Sequence, residues 1–275
     1  MLFFDALLEH GFLQNALLAA ALSSLASGIV GAWVVVRRSA SIAGAIAHCV
    51  LAGLGAARWL QVNHGLTWAE PMAGAIVAAV LAAVVISFAT RRNLEREDTV
   101  IASIWAVGMA VGVLFIARTP GYAEDLMSYL FGNILLVGRD DLMMMAGLDV
   151  LVVVAAVVFF AELQCMCFDE EFARLRGLPV QGLSLLLHVL TALTVVLLVS
   201  VVGIVLVIAL LTLPAAVAGR FAATLAGTMA LAVVLSLLLT TLGLAVSFAS
   251  NLPSGATTIV LAGGLYLVSL LVRRR

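Results

Sequence analysis

The 275-residue chain contains no lysine; all 14 of its basic residues are arginine. A P-loop nucleotide site needs a lysine ammonium to reach the β- and γ-phosphates, so this chain does not carry such an ATPase itself. Charge of either sign is scarce, at 11% of residues against roughly 25% in soluble domains, too little to clothe a water-soluble surface. Cysteine is limited to three residues. Cys165 and Cys167 adjoin a charged stretch and Cys49 lies in an apolar run, a distribution that offers no disulfide framework. There is no HExxH, no phosphate loop and no evident nucleophile–base pair, so nothing specific supports an enzyme.

What is present is apolar length. Hydrophobic residues make up 64% of the chain, and its mean hydropathy is +1.23. Runs of roughly 18 to 25 apolar residues recur, long enough to cross a bilayer as helices and unlike the short alternating strands of a barrel. The fold class is therefore an all-α integral membrane protein, expected as one domain over residues 1–275. Spans are placed near 12–36, 41–60, 70–90, 99–117, 141–163, 183–200, 203–219, 224–249 and 256–272. The pair around Gly203 is tight for two spans and long for one, leaving eight as the alternative to nine. The first run follows Asp5 and Glu9 without a basic region before it, and is read as a retained span rather than a signal peptide.

Arginine sets the orientation. Placing Arg37–Arg38, Arg91–Arg96, Arg174–Arg176, Arg220 and Arg273–Arg275 on one side collects eleven arginines there and leaves Arg58, Arg118 and Arg139 opposite. The positive-inside rule then puts the N-terminus outside and the C-terminus in the cytoplasm. Asp5, Glu9, Glu70, Glu124, Asp125, Asp140 and Asp141 fall on the outer side, as solvated loop acids or as an entrance that attracts cations. The segment Asp125-Leu-Met-Ser-Tyr-Leu-Phe-Gly-Asn133 is too short to span and too apolar to float free, which places it in the interface or dipping inward.

The cytoplasmic side also holds a charged island, Phe168-Asp-Glu-Glu-Phe-Ala-Arg-Leu-Arg-Gly177. Asp169 and Glu171 lead, Ala173 permits close packing and Gly177 terminates, which suits a short surface helix near 168–178; a solvated loop is the plain alternative. Gly108-Met-Ala-Val-Gly112 is a helix-packing motif. Gly203 and Pro214 are candidate gate positions, Pro214 equally a static kink.

Polar groups at membrane depth are costly and therefore functional candidates. His48 stands in a span among Ala43, Gly44, Ala45 and Ala47, as an imidazole facing an interior path or as a core histidine. Cys49 beside it points about 100° away around the helix. Asp149 is the one acid placed well inside a span, as a ligand, a proton site or an interfacial group. His188 reads as structural, and Cys165-Met-Cys167 and Met143-Met-Met145 as soft-cation relays or as filler.

Taken in order, Gly44-Ala-Ile-Ala-His48, Asp125-Leu-Met-Ser-Tyr-Leu-Phe-Gly132, Phe168-Asp-Glu-Glu-Phe-Ala173 with Gly177, Ala192-Leu-Thr, Val202-Gly203, Leu211-Thr-Leu-Pro214-Ala-Ala and Leu252-Pro-Ser-Gly255 resemble the membrane permeases of type II ATP-binding-cassette (ABC) importers for zinc, manganese and iron. The resemblance spans essentially the whole chain. It implies a homodimeric pore in the bacterial inner membrane, two copies of a separate cytoplasmic ATPase and an extracytoplasmic metal-binding protein. It further implies that Phe168, Asp169, Glu171, Ala173 and Gly177 belong to the coupling helix and that His48 is the translocation-site histidine. Many members place an Asp four residues before that histidine; here the position is Gly44, so a two-ligand site of that form is absent, and the resemblance implies a looser site with an oxygen from elsewhere, for instance Asp125 or Asp149. The expected cargo is a divalent metal ion, zinc first and then manganese or iron. No tightly bound cofactor and no nucleic-acid partner are expected. The alternative function is a proton-coupled secondary cation transporter using Asp149 and His48.

Overall fold

The computed structural model describes residues 10–91, 96–120, 132, 134–204, 207–250 and 252–272. Among them every regular element is helical. In chain order these are α1 (Gly11–Val36), α2 (Ala40–His64), α3 (Pro71–Arg91), α4 (Glu97–Ala117), a 3-10 turn (Ile134–Leu136), α5 (Arg139–Val158), α6 (Phe160–Phe168) and α7 (Glu170–Leu175). They continue with α8 (Val180–Val202), α9 (Val207–Phe221), α10 (Leu225–Ser250) and α11 (Ser254–Leu271).

Eight of these helices are long and apolar enough to cross a membrane. α1, with 26 residues, reaches about 39 Å at 1.5 Å per residue, beyond a hydrocarbon core of about 30 Å. α9 is apolar but shorter: its 15 residues reach about 22 Å, less than a full crossing. The expected break at Gly203 is present. Its φ of 80° is a left-handed conformation open to glycine, and its N–H closes α8 on the Val199 carbonyl at 3.0 Å. Of the expected pair, the first is a full span and the second is this short helix. The expected span 141–163 is divided at Phe159, whose ψ of 19° ends α5 before α6 begins. Nothing in the local sequence explains that break.

The helices group into two compact units. The first comprises residues 1–38, 129–160 and 197–275. Its central helix is α1, two thirds buried, packed against α5, α9 and α10. Asn15 donates to the Val137 carbonyl before α5, Asp149 of α5 lies against the Ala26 backbone, and Trp33 meets Phe160, so α5 runs parallel to α1. α10 runs antiparallel, since Gly28 faces Val233 and Ser24 faces Thr240. Two hydroxyl pairs cross this contact, Ser27 with Ser236 at 3.1 Å and Ser24 with Thr240 at 3.4 Å. With no hydrophobic force between helices in lipid, small residues and such pairs hold helices together. Arg220 at the end of α9 donates to the Val272 carbonyl at 3.2 Å, so α9 and α11 also end side by side.

The second unit comprises residues 39–128 and 161–196. α2 crosses α3 where glycine meets glycine: a Cβ on Gly53 would strike the Gly74 carbonyl oxygen, and a Cβ on Gly74 that of Gly53. α4 lies parallel to α2 through the expected motif. A Cβ on Gly108 would come within 2.5 Å of the Cys49 sulfur, and one on Gly112 within 2.7 Å of Leu51 Cγ. The glycines let these backbones approach to contact.

Candidate functional site

The close α2–α4 approach decides what surrounds His48. Trp105 of α4 stacks on its imidazole, with ring centroids 4.5 Å apart and planes 20° from parallel. Cys49 turns the other way, its sulfur directed at the Ile104 carbonyl at 3.4 Å. The half-buried His48 ring makes no hydrogen bond among the described residues, so stacking covers one face while the in-plane nitrogens carry no described partner. That is a usable arrangement for an ion, because a lone pair lies in the ring plane. Trp105 is a neighbour the sequence does not signal, 57 positions from His48. His48 stands eight residues inside α2, about 12 Å from the start of a helix of about 37 Å, and is therefore nearer its N-terminal end. Gly44, one turn earlier, is buried and supplies no side-chain oxygen.

Asp149 belongs to the other unit. It sits ten residues into α5, only 2% exposed, with its carboxyl against the Ala26 backbone and its Oδ1 unpartnered. It therefore lies deep within its helix and away from either end. His188 of α8 is buried and shares a 2.7 Å hydrogen bond with Ser87 of α3, a pairing that accounts for it structurally. Asp125 and the segment 121–131 lie outside the described residues. Among those described, no group of three or more His, Cys, Asp and Glu side chains is placed to hold a metal. Within this chain the described candidate ligand at the α2–α4 contact is a single imidazole.

The charged island is a helix with both ends capped. Asp169 Oδ1 accepts the Phe172 N–H at 2.9 Å, satisfying one orphan donor at the N-terminus. At the other end Gly177 adopts φ 76°, its N–H donates to Arg174 at 2.9 Å, and the Leu178 N–H donates to Ala173 at 3.1 Å. This pair of bonds is the Schellman closure. Ala173 is fully buried, and Phe168, Phe172, Leu175 and Glu171 are exposed. Glu170 pairs with Arg174 at 2.6 Å, and Arg176 lies over the Phe172 ring at 5.1 Å. The result is a small rigid knob whose outer face combines aromatic and charged groups.

Pro214 lies buried inside α9 and cannot donate to Leu210, which leaves that carbonyl outside the helix ladder. One residue on, the Leu211 carbonyl is where a Cβ on Gly31 of α1 would strike, so the proline-weakened turn packs directly against α1.

Known proteins resemble this chain over most of its length. The chain matches the ABC 3 transport family over residues 9–273. It is 38% identical over 258 residues to a "Probable metal transport system membrane protein" of Chlamydia trachomatis, covering 94% of this chain and 88% of that one. It is 31% identical over 267 residues to "Manganese transport system membrane protein MntC" of Halalkalibacterium halodurans, covering 97% and 89%. Among solved structures, "PsaBC from Streptococcus pneumoniae in complex with Fab" superposes with a TM-score of 0.86 at 31% identity, covering 98% of this chain and 94% of that one. The match runs from the first described helix to the last, and the chain belongs to the ABC 3 transport family: it is a transport subunit of the bacterial inner membrane, and ATP hydrolysis resides on a separate chain.

Proposed function

We propose that this chain is the permease of an ATP-driven importer of a divalent transition metal, with manganese as the leading cargo. The observation that carries the reading is whole-length similarity to relatives whose names specify metal and manganese transport. The sequence alone puts zinc first; the donor chemistry supports the other order. Zinc favours closed sets of nitrogen and sulfur ligands, but here the nearby thiol points at a carbonyl and one imidazole remains. An ion that keeps much of its water shell and binds oxygen readily suits so sparse a site, and manganese is such an ion. A weak site also permits release.

In this reading His48 meets the ion, and two copies of the chain enclose the path. An extracytoplasmic binding protein delivers the metal from outside. Phe168, Asp169, Glu171, Ala173 and Gly177 form the knob that docks on the ATPase, and Gly203 and Pro214 mark the segment that flexes. Asp125 and Cys49 remain lesser candidates for the path. Family membership leaves a proton-driven transporter without support.

The test is reconstitution of the chain with a cognate ATPase and metal-binding protein, followed by uptake of labelled manganese, zinc and iron into proteoliposomes. ATP-dependent accumulation of manganese, displaced weakly by zinc, is expected. Accumulation driven by a pH gradient without ATP, or of no metal at all, would overturn the proposal.

A further inference from the structure

Asp149 is the residue for which a static account fails. It stands at the middle of α5, about 15 Å from either end. It is 2% exposed, and one of its oxygens has no hydrogen-bond partner. Among the described residues of its unit, the helices beside it carry no counter-charge within their spans. α5 packs on α1, which carries no charged residue between Gly11 and Val36, and the other long helices of the unit, α10 and α11, carry none over their described lengths either. Arg139, Asp140 and Asp141 lie at the start of α5, and Arg220 at the end of α9. An isolated carboxylate in such surroundings costs far more than an isolated neutral acid, so the group takes up a proton instead.

The neutral acid is itself poorly served, since an unsatisfied buried oxygen costs about 1–3 kcal/mol, and a leucine would pack there without that penalty. A buried orphan oxygen is accounted for if another conformation satisfies it. The helix that bears it is placed to move. α5 is only 22% buried over its span, its principal contact within the unit is with α1, and Val150, Leu151, Val154, Val157 and Val158 are exposed. A helix held on one side costs less to displace than one held on several. The hydroxyl of Ser23, buried three residues before Ala26 and bonded only to its own helix at Ala20, is a partner of suitable chemistry on α1.

We propose that Asp149 is a proton-binding site on the α1–α5 contact, closed and protonated in this conformation, which exchanges its proton when α5 shifts along α1 during the transport cycle. The ligand is the proton. Only the turnover step rests on the importer reading.

The experiment is infrared spectroscopy of the full chain in lipid bilayers, alone and assembled with its ATPase. Subtracting the spectrum of Asp149→Asn is expected to reveal the carbonyl stretch of a protonated carboxyl at neutral pH. After transfer to heavy water that band should keep its position in the resting chain and shift to lower frequency once ATP is turned over. A pair of carboxylate bands in its place, or an immediate shift at rest, overturns the proposal. Failure of the resting arm refutes the site whatever the cargo. A resting band that behaves as expected but never shifts, in a complex shown to hydrolyse ATP, refutes the exchange step. If Asp149→Asn does not fold, wild-type chain treated with dicyclohexylcarbodiimide, an apolar reagent for protonated carboxyls, decides the matter. An adduct mapped to Asp149 during turnover and absent at rest supports the site, and no adduct in either state refutes it.

Discussion

The capped helix α7 permits a quantitative test of coupling that leaves every span untouched. Six residues lie far below the length that holds a helix together in water, so its existence depends on its ends and on buried Ala173. Asp169→Ala removes the bond to the Phe172 N–H and is expected to cost about 1 kcal/mol. Gly177→Ala forces a Cβ into a backbone at φ 76° and costs roughly 1–2 kcal/mol. The two sites share no partner and lie at opposite ends of the helix, so the double variant should lose about 2–3 kcal/mol. At 1.4 kcal/mol per decade this lowers the ratio of formed to frayed helix by roughly 30- to 150-fold. Hydrogen exchange of the peptide covering 168–178 reads that ratio directly, and ATP-driven uptake by the assembled complex reads its consequence. The double variant should insert normally, exchange faster at this peptide and lose uptake. Unchanged exchange refutes the energetic argument. Faster exchange with uptake at the wild-type rate removes α7 from coupling.

His48→Ala should sharply reduce metal uptake while preserving membrane insertion, because no second described ligand stands beside it; normal uptake across metal concentrations and pH would make the histidine a packing residue. Gly44→Asp adds an oxygen one turn away on the same face and should tighten binding while slowing release, measured as a lower half-saturation and a lower maximal rate. Gly112→Leu should destabilise the α2–α4 contact by about 1–3 kcal/mol, visible as a lower unfolding temperature, because even a Cβ there lies 2.7 Å from Leu51 Cγ; an unchanged temperature would show that the helices yield freely.

Local chemistry is legible in the amino-acid sequence. Asp169 and Gly177 announce a helix by the groups they offer its ends, Gly203 announces a stop, and Gly108 with Gly112 announces a close neighbour. The identity of the neighbours is not legible. Nothing near Gly53 names Gly74, nothing near His48 names Trp105, and the serines of α1 do not declare their partners on α10. In uniformly apolar spans the buried and lipid-facing sides carry the same residue types, so periodicity does not point inward as it does in a soluble protein. The shortness of α9 is hidden for a different reason, because hydropathy measures how apolar a segment is and not where its helix begins.

The shared direction of helices in the first unit has an electrostatic consequence. α1, α5, α9 and α11 finish at one end, with Trp33 beside Phe160 and Arg220 beside Val272, while α10 begins there. Each helix terminus carries about half an elementary charge, negative at the C-terminus, so four negative ends and one positive end converge. The chain carries Arg37, Arg38 and Arg220 at those same ends. Arginines that record which way the chain entered the membrane thus also neutralise peptide dipoles, and Arg220 does so by binding the Val272 carbonyl itself. A glutamate at position 220 would reverse both effects at once, setting a carboxylate among carbonyl ends and removing an inward topological signal with the same substitution.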